Sequence, residues 1–222
     1  MEKKILFIQH LIAKFLWKIL WILFSKPLNF FLDIKIENED IIKDFIKNLK
    51  PPLLIVANHS SILDVIVLGY VFGKYKNLTP IHFAVFYKYY YYFWPIFWPL
   101  GSFPVKKGVP LEKNFKPGIE ALKKKWVVGI FPEGRRHKKG RRRNPRRGVA
   151  FLILKTKVPI LPIWIEGLTG MNFKKFFSRK TKVRLKIGNL IEFKENEQVN
   201  DEEKILQKIK ETFLLLRIKN IS

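Results

Sequence analysis

Cysteine is absent from this 222-residue chain, so disulfides, thiolate nucleophiles and cysteine-ligated metals are excluded. Histidine is scarce, and the four residues are scattered, so no zinc site is expected. Acidic residues are also few. Eighteen Asp and Glu stand against 43 Lys and Arg, giving a formal charge of +25 and a pI near 10.2. Such a surface should seek anionic partners: nucleic acid, acidic lipid headgroups or an acidic carrier protein. There is no internal repeat and no disordered linker. Nor is there a recognised RNA- or DNA-binding signature, which argues against a basic nucleic-acid-binding module.

What is present is a chain that is 48% hydrophobic and sized for one domain of moderate length. Residues 5–24 read "ILFIQHLIAKFLWKILWILF", long enough to span a bilayer. His10, Lys14 and Lys18 recur every four residues and draw a polar stripe along the helix. Two lysines near mid-span cost about 2.5–3.5 kcal/mol each at the bilayer centre. An amphipathic helix lying in the interface is therefore expected, with Trp17 and Trp21 at headgroup depth and Pro27 ending it; a helix packed on a soluble core is the alternative. No small-residue cleavage site follows, so the segment is not read as a removed signal peptide. The expected organisation is an N-terminal membrane-anchoring segment, residues 1–33, followed by one domain, residues 34–222.

Along that domain, residues 34–36 suggest a short strand and 40–49 a helix stopped by Pro51 and Pro52. The uncharged run 53–57 suggests a strand buried on both faces. Ser60 can cap a helix reaching about Phe72. Residues 83–98, "FAVFYKYYYYFWPIFW", hold eleven aromatics in sixteen residues. Residues 111–125 look helical despite Pro117 and Gly118, and 126–131 form another apolar strand. Nine Lys or Arg crowd residues 135–147. Residues 148–156 look helical and 160–165 form a third apolar strand. Residues 183–187 and 190–193 read as a final strand pair around Gly188, and 201–218 as an amphipathic helix. Strands alternating with helices predict an α/β fold with a central, mostly parallel or mixed sheet flanked by helices.

Four stretches stand out, and three of them hold groups that could carry chemistry. In "ANHSSILD", His59 and Asp64 sit where a buried strand gives way to a helix, and ligands gather at the carboxyl ends of strands in open α/β sheets. The aspartate could hold one ring nitrogen and leave the other as a general base. By itself the spacing is weak and fits an ordinary polar turn better. In "FPEGRR", Pro132 and Gly134 end a strand sharply, Glu133 is left at its terminus, and Arg135 and Arg136 suit phosphate oxygens. In "LGSFPVKKG", Lys107 is a candidate anion ligand. "VPILPIWIEG" holds no reactive group and suggests wall and packing.

Together and in this order, the four stretches resemble the sequence blocks of the glycerophospholipid acyltransferases, most of all the 1-acyl-sn-glycerol-3-phosphate (lysophosphatidic acid) acyltransferases. Asn58, His59 and Asp64 match the first block. Gly101, Val105 and Lys107 match the second, with lysine where arginine is usual. Phe131, Pro132, Glu133, Gly134 and Arg136 match the third, with Arg135 in place of threonine. Val158, Pro159, Ile160 and Pro162 match the fourth. Lys88 and the Arg147-Gly148 pair also fall where the family has a lysine and a basic-glycine pair. The resemblance covers roughly residues 58–167.

The resemblance implies acyl transfer from a thioester to the free hydroxyl, at sn-2, of lysophosphatidic acid, without a covalent acyl-enzyme. His59 would be the general base and Asp64 its orienting acid. Lys107, Gly134 and Arg136 would hold the acceptor's phosphate, with Lys88 as a further contributor. Glu133 would orient a cation or the acceptor glycerol. No metal or bound cofactor is implied; acyl-CoA or an acyl carrier protein is the donor substrate. The implied partners are an anionic bilayer, the lysophospholipid and an acidic acyl carrier protein, and not nucleic acid. The implied location is the cytoplasmic face of the inner or plasma membrane, as a monotopic protein. A relative acting on glycerol-3-phosphate, a lyso-amino-lipid or a glycolipid is the alternative within the superfamily.

Overall fold

The uncharged run Leu53–Ala57 forms β2, and all five of its residues are buried. Leu53, Ile55 and Ala57 face one hydrophobic layer, while Leu54 and Val56 face the other. That is the period of two expected of a strand covered on both sides. The structure, a computed structural model, describes residues 2–48, 51–136, 144–192 and 201–218. Leu49, residues 137–143 of the basic run and Phe193 of the expected last strand lie outside these.

The chain runs α1 (Glu2–Leu32), β1 (Ile34–Glu37), α2 (Asp40–Asn48), β2, α3 (Leu63–Gly73), β3 (Ile81–Phe86), α4 (Tyr87–Tyr92) and α5 (Trp94–Phe97). It continues with β4 (Phe103–Val105), α6 (Leu111–Lys123), β5 (Val127–Ile130), α7 (Arg147–Thr156) and β6 (Ile160–Glu166). The last elements are α8 (Phe173–Phe177), β7 (Val183–Ile187) and α9 (Glu202–Ile218). Among the described residues, seven strands form one sheet in the order β1-β7-β6-β2-β5-β3-β4. From β6 to β4 every pairing is parallel; β7 runs antiparallel to β6, and β1 parallel to β7. This is the expected α/β architecture with a mixed, mostly parallel sheet. α1, α2 and α3 cover one face, α6, α7 and α9 the other.

α1 does not stop at Pro27. It continues to Leu32, because Leu28 and Leu32 are buried in the core and hold the last turns. Proline removes the N–H that would meet the Leu23 carbonyl, a loss felt at an exposed position. Trp17 and Trp21, expected at headgroup depth, turn inward instead. Trp17 is 9% exposed and donates its indole N–H to the Leu100 carbonyl at 3.1 Å; Trp21 donates to the Tyr70 carbonyl at 3.0 Å. A buried indole needs such an acceptor, and the helix finds both on neighbouring loops and helices.

The aromatic stretch 83–98 divides into the end of β3 and the short helices α4 and α5, and β4 follows it. The sequence pattern predicts neither strand, because the aromatic density hides the alternation and His82 sits fully buried inside β3. His82 is tolerated there because its Nδ1–H donates to the Gly101 carbonyl at 2.7 Å and its Nε2 accepts from His10 Nδ1 at 3.0 Å. Of the expected strand at 190–193, the described residues form a single antiparallel bridge, between Ile160 and Ile191.

Candidate active site

Strand β2 ends because Asn58 takes over its ladder with a side chain. Asn58 Nδ2 donates to the Ile165 carbonyl at 2.9 Å, and the Ile165 N–H donates to Asn58 Oδ1 at 2.6 Å. The backbone is thereby freed to turn off the sheet, and His59 is the first residue to do so. The following helix starts at Leu63, not at a Ser60 cap; its N-cap, Ile62, has no side-chain bond. Asp64, in the first turn, does the capping in reverse. Its Oδ2 accepts the N–H groups of Ser60 at 2.6 Å and Ser61 at 2.8 Å, and its Oδ1 accepts the Ser60 hydroxyl at 3.1 Å.

His59 Nδ1 lies 2.8 Å from the same Asp64 Oδ2. A carboxylate oxygen accepts, so Nδ1 carries the proton and Nε2 keeps its lone pair. Asp64 is fully buried, while the His59 side chain is 20% exposed. The pair is thus anchored at one end and open at the other. The imidazole stacks on Phe131, with centroids 4.2 Å apart, and Phe131 stacks on Phe83 at 5.8 Å. Rotation of the ring is restricted from the side as well as by the hydrogen bond.

Phe131 follows β5, the parallel neighbour of β2. The same turn delivers Glu133, which is buried and accepts the His59 backbone N–H through Oε1 at 3.4 Å. Gly134 closes the turn at φ +65°, a conformation that favours glycine. A Cβ there would come within 3.0 Å of the Arg146 side chain. Arg146, whose N–H donates to the Pro132 carbonyl at 2.8 Å, lies across this turn.

The structure therefore brings His59, Asp64 and Glu133 into direct contact. The cations named from sequence are placed differently. Lys88 on α4, Lys107 beyond β4 and Arg136 beyond β5 are all exposed, at the carboxyl ends of strands parallel to β2. They share the site's edge of the sheet. The stretch Val158–Pro162 enters β6 from the opposite end; Leu54 pairs with Ile160 and Val56 with Pro162. Val158, Ile160 and Leu161 are buried, so this stretch is packing. Sequence reasoning missed Asn58 as a clamp, Phe131 as a ring support and Arg146 as the cation over Gly134. Phe131 and Asn58 stood inside recognised blocks; Arg146 was lost in a charge run.

A family model described as Acyltransferase matches residues 33–166, and the chain belongs to that family, within the glycerophospholipid acyltransferase superfamily. The 1-acyl-sn-glycerol-3-phosphate acyltransferase BAT2, chloroplastic, of Brassica napus is 31% identical over 122 residues. That match covers 52% of this chain and 33% of the relative, so the chain spans about a third of the relative's length. The crystal structure of the 1-acyl-sn-glycerophosphate (LPA) acyltransferase PlsC from Thermotoga maritima has the same fold. It superposes with a TM-score of 0.68 at 20% identity, covering 95% of this chain and 82% of that one.

Proposed function

We propose that this protein acylates the free sn-2 hydroxyl of lysophosphatidic acid at a membrane surface, giving phosphatidic acid. The observation that carries the reading is the His59–Asp64 bond, which leaves Nε2 as an accessible base. As the acceptor oxygen attacks the thioester carbonyl, Nε2 takes its proton. The tetrahedral adduct then collapses, the C–S bond breaks, and the imidazolium returns the proton to the departing thiol. Asp64 holds the ring in the right tautomer and faces the positive charge while it lasts. General-base help of this kind contributes about 100- to 10,000-fold in rate.

In this reading Lys107, Arg136 and Lys88 attract the acceptor's phosphate, and the Gly134 turn lets it approach the backbone. Lysine at 107 supplies a point charge where a guanidinium would grip two oxygens. Glu133 is a positioning residue, fixing the turn that carries His59. Neither metal nor cofactor is part of the proposal; the donor is acyl-CoA or acyl carrier protein.

The protein would rest on the cytoplasmic face of the inner or plasma membrane. Among the described residues, α1 is the one helix long and apolar enough to cross a bilayer. We place it in the interface because Gln9, Ala13, Trp17, Leu28 and Leu32 engage the protein along its whole length. A helix so occupied on one side cannot also be surrounded by lipid. Its other sides expose Phe15, Ile22, Leu23 and Phe24, and α4–α5 expose Tyr91, Tyr92 and Trp94.

The test is acyl transfer to lysophosphatidic acid in liposomes, wild type against His59→Ala, with both donors. Product from the wild type alone supports the reading. Equal product from both proteins removes His59 from the mechanism. If a folded wild type is active only on glycerol-3-phosphate or another lysolipid, the acceptor is revised and the base retained.

A further inference from the structure

The segment after β6 has no place in the site or in its anchor so far. Residues 171–182 read "MNFKKFFSRKTK" and carry five cations, Lys174, Lys175, Arg179, Lys180 and Lys182, with no acidic residue. All five are exposed. The short helix α8 within it turns two phenylalanines out: Phe173 is 85% exposed and Phe177 60%. They lie four apart on one helical face, while Phe176 packs inward against the core. The helix is fixed, since Asn172 Oδ1 accepts the Lys175 N–H at 2.9 Å.

This patch adjoins the exposed side of α1. Phe31 stacks on Phe176 at 5.2 Å and meets Phe177 edge-on at 5.4 Å, and Arg179 sits 4.1 Å over the Phe30 ring. Phe30, Phe24 and Leu23 on α1 are themselves exposed. Apolar surface thus runs from α1 onto α8. It ends at a place that matters, because α8 follows the carboxyl end of β6. β6 is the direct parallel neighbour of β2, whose carboxyl end delivers His59. Beside that turn, Ile62 and Ile66 are also exposed.

We propose that α8 and its flanking cations are a second bilayer contact, selective for anionic headgroups, which carries the apolar surface of α1 round to the edge where His59 opens. The proposal rests on the membrane-surface reading above and adds its orientation. Paired aromatics among lysines are the composition of an interfacial contact: rings enter the headgroup boundary and cations face the lipid charge. An acidic protein partner would use the cations but leave Phe173 with no apolar host, so the bilayer is favoured. A lysolipid held in that bilayer then has a short lateral path to the base.

The absence of native cysteine allows a clean label. Full-length Phe173→Cys carries an environment-sensitive fluorophore, with labelled Lys210→Cys on α9, across the sheet, as control. Vesicles of phosphatidylcholine, with or without phosphatidylglycerol, are titrated in. The expected result is a blue shift and brightening at 173 with anionic vesicles only, and none at 210. Lys174→Gln, Lys175→Gln and Lys180→Gln together should weaken unlabelled binding at least about tenfold at low salt. Turnover of a water-soluble short-chain lysolipid should not change. Sedimentation of the protein with vesicles while the 173 label stays silent overturns the α8 contact but spares the membrane reading. Failure of the wild type to sediment with either vesicle overturns both. A response to acyl carrier protein and none to vesicles replaces the bilayer with a protein partner.

Discussion

Asp64 accepts from His59, from two backbone N–H groups and from the Ser60 hydroxyl, so asparagine in its place would set an amide donor against donors. Asp64→Asn should therefore fail twice. Activity should fall by about 100- to 10,000-fold, since the ring loses its orienting partner. Stability should fall by about 1–3 kcal/mol from buried donors left unmatched. Steady-state kinetics and thermal melting read the two effects separately. A variant that melts lower yet turns over normally would leave Asp64 a structural cap. At this scale the sequence was informative where contacts are local. The His59–Asp64 spacing is legible because a strand-to-helix turn folds five residues back on themselves. The Glu133 contact with His59 spans 74 positions, and the Asn58 clamp on Ile165 spans 107. Only the pairing of β2 with β5 and β6 creates those neighbours.

α1 shows how one element serves two surroundings. Its composition announced an apolar helix, but hydropathy cannot say which side the protein will claim. The inward side binds the loop before β4: Gln9 donates to the carbonyls of Trp98 and Ser102, and Trp17 to that of Leu100. Gly101 in that loop adopts φ +86°, and a Cβ there would lie 3.1 Å from His82. α1 thereby holds β4 in place, and with it the approach to Lys107. Two substitutions on the same helix should then behave oppositely. Trp17→Ala should cost about 3–5 kcal/mol of stability, as for a large buried aromatic. Phe15→Ser with Leu23→Ser should leave melting nearly unchanged and weaken sedimentation with vesicles. Loss of vesicle binding by neither variant would move the anchor to α4–α5 or α8. Removing the whole of α1 is a poor test, because it also strips the core of Ala13 and Trp17.

Across the whole molecule, the two described histidines outside the site, His10 and His82, form a pH-sensitive joint. His82 is held down to about 4 by burial, partly opposed by its bond to the Gly101 carbonyl. His10 is lowered to about 4 by burial first, then by His82, Lys14 and Lys124. His10 stacks on Trp126 at 3.7 Å, so the joint ties α1 to β3 and to the entry of β5. A histidine whose folded pKa lies below the unfolded value of about 6.5 binds more protons unfolded. Its stabilisation is complete above about pH 6.5 and is lost as pH falls towards about 4. For the fully buried His82 the loss amounts to about 3 kcal/mol. Melting temperature should therefore drop over that interval in the wild type, and less steeply in His82→Asn, which keeps a donor for Gly101. Parallel melting curves for the two proteins would exclude His82 as the titrating group.

The sequence by itself determined the local half of this protein. Run lengths, turn residues and alternation set β2, β5 and β6 and most helices; four ordered blocks set the family; the excess of Lys and Arg set the sign of the surface. Tertiary structure decided the rest: that α1 keeps its tryptophans inward, that β3 can bury a histidine, that Arg146 lies over Gly134, and that α8 continues the apolar surface of α1. Backbone preference and periodicity act over a few residues and can be read in order. Burial and pairing act between residues far apart in the chain, and they exist only once the sheet has set its strands side by side.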